Sequence, residues 1–197
     1  EILEAAMGVS GVKIEFSTYP WARCLVMLDK KEIDAVIPMV YSEERAEKYS
    51  LGTSMRTREN VIILKQDIKK EINRLEDLNG MTIASGKGYA INKEFDEASY
   101  IKIDYVATAG EVYEILVKKV ASGRVDGAVV DMRVLYGVID KLKVGNRVRV
   151  TKIIYKKETH VGFVKNSSFY PIYEKGIKAI KESGELKKII DKWSSLN

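Results

Sequence analysis

Two residues of opposite charge lie where predicted elements begin, and each would suit a small ionic ligand. Arg45 is the third residue of a short predicted helix that has Ser42 as its N-cap. Its planar guanidinium could bind a carboxylate through two hydrogen bonds, or it could be a surface group paired with a neighbouring glutamate. Asp131 directly follows the apolar run 125–130. It could bind an ammonium group or cap the next helix, and the residues alone leave all these interpretations open.

A glycine-containing turn and an aromatic residue add two further candidates. Gly86-Lys87-Gly88 stands between a predicted strand at 81–85 and a predicted helix at 89–98. Such a turn exposes backbone N–H groups that can bind an anion, although glycines in these turns are also commonly structural. The spacing matches neither a dinucleotide fingerprint nor a P-loop. Trp21 follows Pro20 at a loop–helix junction, where its ring could stack on a ligand or pack in the core.

The residue types that usually carry catalysis or bind metals are scarce. His160 is the only histidine and Cys24 the only cysteine, which argues against a zinc site and against a Ser-His-Asp triad. Asp34 and Asp126 precede similar strands and are interpreted as turn-forming or capping residues. We therefore expect no catalytic residue, no metal site and no cofactor.

The elements that position these residues follow a repeated pattern. A predicted helix at 21–28 leads through a turn into a strand at 33–40, and a helix at 111–120 leads in the same way into a strand at 125–130. This repetition predicts an α/β fold with two lobes, each a mainly parallel sheet flanked by helices, and a cleft between them.

The absence of a Gly/Ser linker predicts that two extended segments connect the lobes as a hinge. Candidates for these crossings are residues 61–66 and 152–164. Lobe 1 would then be discontinuous and comprise residues 1–66 plus 158–197, and lobe 2 would comprise residues 67–157. A further strand is predicted at 12–16 and a helical tail at 168–193, with a break at Ser183-Gly184.

Composition limits the possible partners. The 197 residues include 33 Lys and Arg against 28 Asp and Glu, which gives a net charge of +5. Because the two signs are mixed along the chain, they indicate a solvated surface and no nucleic-acid partner. No apolar run approaches the ~18 residues of a membrane span.

Several segments, taken together and in order, resemble the extracellular solute-binding proteins of family 3. These are type II periplasmic binding proteins, most of them amino-acid receptors of ABC importers. The matching segments include Pro20-Trp21-Ala22-Arg23, Glu32-Ile33-Asp34-Ala35-Val36, Ser42-Glu43-Glu44-Arg45, Leu75-Glu76-Asp77-Leu78-Asn79-Gly80, Gly86-Lys87-Gly88, Gly123-Arg124-Val125-Asp126-Gly127 with Asp131, and a Gly184-Glu185-Leu186 tail that reaches Trp193. The Pro-Trp-x-Arg form resembles one subgroup of the family.

The resemblance implies roles for three of the candidate residues. Arg45 matches the arginine that binds the α-carboxylate of the ligand, and Asp131 matches the acid that binds its α-ammonium group. Trp21 matches an aromatic residue that lines the side-chain pocket. An amino acid bridging the two charges would favour the closed state of the hinged lobes.

The resemblance also implies backbone contacts, and here the chain departs from the family. Gly88, Tyr89 and Ala90 match a turn that offers N–H groups and usually a hydroxyl, but no serine or threonine follows the glycine. Pro38 to Val40 match a strand end that supplies carbonyls, and Val40 stands where polar residues are frequent. The first strand of the family and its ligand-contacting loop would precede Glu1, so lobe 1 is expected to lack that strand.

The implied function is the binding of an amino acid or a related small carboxylate and its delivery to the membrane permease of an ABC transporter. The resemblance implies a bacterial protein located in the periplasm or outside the cell, and we expect a monomer. Two alternatives are a ligand-sensing domain of a signalling receptor and an enzyme of the same fold, such as a dehydratase. A third is a binder with an altered pocket that has lost the usual ligand.

Overall fold

A computed structural model of the chain describes residues 1–108 and 110–194, with side chains described up to residue 192. These residues form eight α-helices, a short 3-10 helix and seven β-strands. The α-helices are α1 (Ile2–Gly8), α2 (Trp21–Asp29), α3 (Glu43–Lys48), α4 (Lys93–Asp96), α5 (Val112–Ala121), α6 (Met132–Leu142), α7 (Phe169–Glu182) and α8 (Glu185–Ser194). The strands are β1 (Ala35–Val40), β2 (Tyr49–Leu51), β3 (Arg56–Lys65), β4 (Thr82–Gly86), β5 (Lys102–Val106), β6 (Gly127–Asp131) and β7 (Val148–Val164), and the 3-10 helix is Leu75–Leu78.

The chain divides into two compact units. Unit 1 comprises Glu1–Ser17, Val26–Arg56 and Thr159–Asn197, and unit 2 comprises Thr18–Leu25 and Thr57–Glu158. Two of the divisions fall within the long strands β3 and β7, so the chain passes between the units there in extended form. The lobe boundaries expected from the sequence, at residues 66 and 158, stay a prediction.

The core of unit 1 forms where α1, α7 and the end of β7 pack together. Leu3, Met7, Phe163 and Tyr173 are among its buried residues. The two helices pack closely because Gly176 has no side chain: a Cβ atom there would stand 1.8 Å from the carbonyl oxygen of Ala6. The core thus depends on backbone contact as well as on apolar side chains.

The strand pairings of unit 1 correct the predicted parallel sheet. Both β1 and β2 pair with β7 in antiparallel register, Val36 opposite Gly162 and Ser50 opposite Phe163. The expectation of a mainly parallel sheet was wrong for these pairs. Between β2 and β7 the chain runs through unit 2, so β7 returns from another unit and does not follow a helical crossover that would make the strands parallel.

Unit 2 has the predicted alternation of helices and strands. β4 pairs in parallel with β5 and β6, and β3 pairs with β6 in antiparallel register. Alternate residues of β3 point into different cores: Val61 and Ile63 pack in the cluster that contains α5 and α6 residues, and Ile62 and Leu64 pack in the opposite cluster. Both faces of the sheet are therefore covered, as its apolar strands indicate.

One predicted element is absent from the structure, and another is shorter than predicted. Residues 12–16 form no strand, because no other strand of the described chain pairs with them, although Val12 and Ile14 pack against the unit 1 core. The helix predicted at 89–98 is only α4. Asn92 ends the preceding loop by accepting a hydrogen bond from the N–H of Phe95 at 2.9 Å, so the helix begins after it.

The helical tail is confirmed, with its break where predicted. α7 ends at Glu182 and α8 begins at Glu185, and Gly184 between them has a φ of 79° that favours glycine. The side chain of Trp193 and residue 109 lie outside the described part. Among the described residues, no helix is long and apolar enough to cross a membrane.

Candidate functional site

The first group of candidate residues lies in unit 1, where β1 ends and α3 begins. Ser42 caps α3 by accepting a hydrogen bond from the N–H of Arg45 at 3.2 Å, as predicted. The Arg45 guanidinium donates to the carbonyl of Val40 at 2.8 Å, and only 8% of the residue is exposed. Arg45 is therefore not a surface residue. Because a buried cation is costly without polar partners, the hydrogen bond to the last carbonyl of β1 helps to compensate the burial of the guanidinium.

Pro38 and Val40 lie at the same end of β1. Pro38 is exposed and has no N–H with which to donate a hydrogen bond to β7. The register between β1 and β7 shifts around it, between Val36 and Met39. Val40 is buried, and its carbonyl accepts the Arg45 hydrogen bond. The backbone acceptor predicted at Val40 thus serves to position Arg45, and contact of Pro38 and Val40 with a ligand stays a prediction.

His160 lies on β7 in the same unit. Its Nδ1 is 2.7 Å from the carbonyl oxygen of Gly52, which assigns the proton to this nitrogen and makes it a donor. The ring also lies 6.2 Å from the ring of Tyr41, measured between centroids. These contacts give His160 a structural role in joining β7 to the segment after β2.

The second group lies in unit 2 around Asp131, the last residue of β6. One carboxylate oxygen, Oδ1, accepts from the N–H of Arg133 at 3.0 Å, which makes Asp131 the N-cap of α6. The other oxygen, Oδ2, is 3.1 Å from Nε of Arg58. The side chains of Arg58 and Asp131 are 9% and 7% exposed. The capping interpretation of Asp131 is confirmed, and its role in binding an ammonium group stays a prediction.

Two tyrosines frame the Arg58 guanidinium. Its Nη2 donates to the hydroxyl of Tyr113 on α5, and its Cζ lies 5.7 Å from the centroid of that ring. The same carbon lies 5.5 Å from the ring centroid of Tyr89, within the range of a cation–π contact. Burial raises the pKa of Tyr89 above its ordinary value, although Arg58 opposes the rise. Tyr89 therefore stays protonated at neutral pH.

Asn60 and Ser85 add buried polar groups to the same face of the unit 2 sheet. Asn60 lies directly opposite Asp131 in the β3–β6 pair, and opposite residues of an antiparallel pair point to the same side. Asn60 is 1% exposed, and neither its amide nitrogen nor its amide oxygen has a hydrogen-bond partner within the described residues. Ser85, near the end of β4, is 3% exposed.

The predicted glycine turn is tied to Trp21 within unit 2. The indole Nε1 donates to the carbonyl of Gly88 at 3.0 Å. Gly88 has a φ of 77°, and the N–H of Tyr89 donates back to Gly86 at 3.0 Å. This tight turn favours glycine at position 88 and uses the N–H of Tyr89 internally. Trp21 belongs to the segment Thr18–Leu25 of unit 2, and its assignment to lobe 1 stays a prediction.

The structure therefore brings together three sets of predicted residues, each within one unit. Arg45 meets Val40 in unit 1, and Trp21 meets Gly88 in unit 2. Asp131 and Tyr89 meet around Arg58, also in unit 2. Ala90 is half-buried next to Tyr89. No cluster of His, Cys, Asp and Glu suited to a metal ion occurs within the described residues.

Sequence reasoning missed Arg58 and Asn60. Residues 58, 60, 62 and 64 share one face of β3, and the last two are Ile62 and Leu64. Two polar residues that continue the alternation of a buried strand indicate a polar site at its end. That signal was present in the sequence, but the pairing of Arg58 with Asp131, 73 positions later in the chain, was not.

Comparison with known proteins identifies the family to which this chain belongs. The model of the bacterial extracellular solute-binding proteins, family 3, matches residues 1–195. The L-cystine-binding protein TcyA of Bacillus subtilis is 27% identical over 188 residues, covering 93% of this chain and 66% of that protein. The arginine-binding extracellular protein ArtP of the same organism is 24% identical over 198 residues, covering 98% of this chain and 75% of that protein.

Solved structures confirm the fold class. The arginine-, lysine-, histidine-binding protein ArtJ of Geobacillus stearothermophilus superposes with a TM-score of 0.79 at 22% identity, covering 98% of this chain and 83% of that chain. The predicted α/β fold of the type II periplasmic binding proteins is therefore confirmed. The chain spans about two thirds to three quarters of the length of the curated relatives described above.

Proposed function

The chain belongs to the bacterial extracellular solute-binding proteins, family 3, and on that premise we propose that it binds an amino acid or a related small carboxylate and delivers it to the permease of an ABC-type importer. The family match over residues 1–195 carries this proposal. The curated relatives are named as amino-acid-binding proteins, which favours binding over the sensory and dehydratase alternatives. A protein with this function releases its ligand without a chemical change to it. Binding takes place in the periplasm or outside the cell.

Arg45 is the residue that we propose to bind the carboxylate of the ligand. Its burial and its hydrogen bond to Val40 fix the guanidinium at the end of β1. A guanidinium held in one orientation loses little further freedom when it binds a carboxylate.

We propose that the residues of unit 2 contact the remainder of the ligand. Trp21 and Gly88 lie next to each other and are joined by a hydrogen bond. Tyr89 and Ala90 continue that turn, and Asp131 lies at the end of β6. An aromatic ring next to a turn is suited to hold an apolar part of a small ligand, and its indole N–H is already satisfied.

Isothermal titration calorimetry with the protein amino acids and small carboxylic acids tests this function. At least one compound should bind, and Arg45→Ala should weaken its binding by about 30-fold or more, because truncating a buried charged partner typically costs about 2–5 kcal/mol. Arg124→Ala removes an exposed arginine and serves as the control, with unchanged affinity. Failure of every compound to bind, or full affinity in Arg45→Ala, would contradict the proposal.

A further inference from the structure

The charge of Asp131 is compensated inside unit 2 by a residue of the chain itself. Arg58 contacts Oδ2 of Asp131 through Nε at 3.1 Å, and both side chains are buried. Oδ1 of the same carboxylate accepts from the N–H at the start of α6 at 3.0 Å. One carboxylate oxygen therefore accepts a hydrogen bond at the positive end of α6, and the other forms an ion pair with the guanidinium.

The guanidinium that provides this compensation is held from several sides. The Tyr113 hydroxyl accepts a hydrogen bond from Nη2, and the rings of Tyr113 and Tyr89 lie 5.7 and 5.5 Å from Cζ. Arginine remains charged at every pH at which proteins are stable. A ligand ammonium group that approaches Asp131 would therefore meet a fixed cation, and like charges at short range repel strongly in a buried site.

The neighbouring polar group is neutral. Asn60 lies opposite Asp131 on the same face of the sheet, is 1% exposed, and has a donor and an acceptor without partners in the described chain. An unsatisfied buried amide is costly, so a ligand that satisfies it gains affinity. Its chemistry matches a hydroxyl, an amide or a carboxylate oxygen, and it offers no negative charge to an ammonium group.

We propose that Arg58 determines specificity by neutralising Asp131, so that this protein prefers small carboxylates without an α-ammonium group over the corresponding amino acids. The proposal rests on the proposed function, because it assumes that Asp131 lies in the ligand site. It refines that function by naming the ligand class: deaminated, hydroxylated or amidated carboxylates.

Matched pairs of ligands test the proposal directly. Calorimetry compares L-alanine with propanoate, L-phenylalanine with hydrocinnamate and L-glutamine with glutaramate, which differ only in the α-ammonium group. The wild-type chain should bind the deaminated member at least about tenfold more tightly, and Arg58→Met should shift this ratio towards the amino acid by about 30-fold or more. Arg124→Met, at an exposed position, should leave the ratio unchanged.

A second variant keeps the test decisive if Arg58→Met does not fold. Arg58→Gln removes the same charge while keeping a polar side chain beside Asp131, and circular dichroism verifies its fold. It should shift the ratio towards the amino acid, as Arg58→Met does, and an unchanged ratio in the folded variant would overturn the proposal. A wild-type preference for amino acids that Arg58→Met leaves intact would overturn it too, with the proposed function retained. Binding of no compound in either class would overturn both.

Discussion

The buried pair formed by Arg58 and Asp131 predicts a large and unequal cost for removing either partner. Removing one member of a buried ion pair costs about 3–5 kcal/mol, because the other charge stays buried. Asp131→Ala also removes the N-cap of α6, worth about 1 kcal/mol. The side chains are 9% and 7% exposed, so solvent screens the pair little. We therefore expect Asp131→Ala to lower the free energy of unfolding by about 4–6 kcal/mol.

Arg58→Met should cost less, about 2–4 kcal/mol. In this variant Asp131 has lost its ion-pair partner, but its carboxylate still accepts the hydrogen bond from Arg133 and still lies at the positive end of α6. The methionine can retain part of the packing against Tyr89 and Tyr113. The double variant Arg58→Met with Asp131→Ala leaves neither charge buried, so its cost should fall short of the sum of the single costs by at least about 2 kcal/mol.

Urea denaturation followed by circular dichroism measures these differences. With a denaturant slope of about 2 kcal/mol/M, a loss of about 3 kcal/mol moves the midpoint by about 1.5 M. Arg124→Met provides the control for loss of an exposed arginine. Single variants that each lose less than about 1 kcal/mol, or a double variant that loses the full sum, would refute the buried ion pair.

Two further predictions concern packing and pH. Gly176→Ala should lower the free energy of unfolding by about 1–3 kcal/mol in urea denaturation, because the new Cβ meets the Ala6 carbonyl and α1 must move. Gly137→Ala, at an exposed helical position with no atom nearby, should raise it by about 0.5–1 kcal/mol; equal effects would contradict the described packing. The hydrogen bond from Lys141, aided by its charge, lowers the pKa of Glu114 below the ordinary 4.5, despite opposing burial. Glu114 therefore stabilises the fold above pH 4.5, and this contribution is lost as the pH falls through the lower folded-state value. The stability deficit of Glu114→Gln, measured from midpoints between neutral and acid pH, should shrink below pH 4.5, and a constant deficit would contradict this pairing.

The local signals in the sequence were enough to predict most of unit 2 and the helical tail. The apolar runs of β4 and β6 and the amphipathic α5 are set by their own periodicity, so they were found without knowledge of their partners. Ser42 and Asp131 were recognised as possible caps because an N-cap acts on residues two or three positions away. Such features depend on short stretches of chain.

The features that were missed depend on residues far apart in the chain. The antiparallel pairs of β7 with β1 and β2 join segments separated by the whole of unit 2. Residues 12–16 have the composition of a strand, but strand formation requires a partner, and periodicity does not reveal whether one exists. Arg58 in a strand looks like an ordinary surface charge until the fold brings Asp131 and two tyrosines to it.

The binding of a small carboxylate through Arg45 is tested most directly by calorimetry on the wild-type chain, Arg45→Ala and Arg124→Ala in parallel. The ligands are the amino acids and their α-deaminated counterparts. We expect the wild-type chain and Arg124→Ala to bind the same compound with equal affinity, and Arg45→Ala to bind it at least about 30-fold more weakly. Equal affinity in all three proteins, or no binding by the wild-type chain, would contradict it.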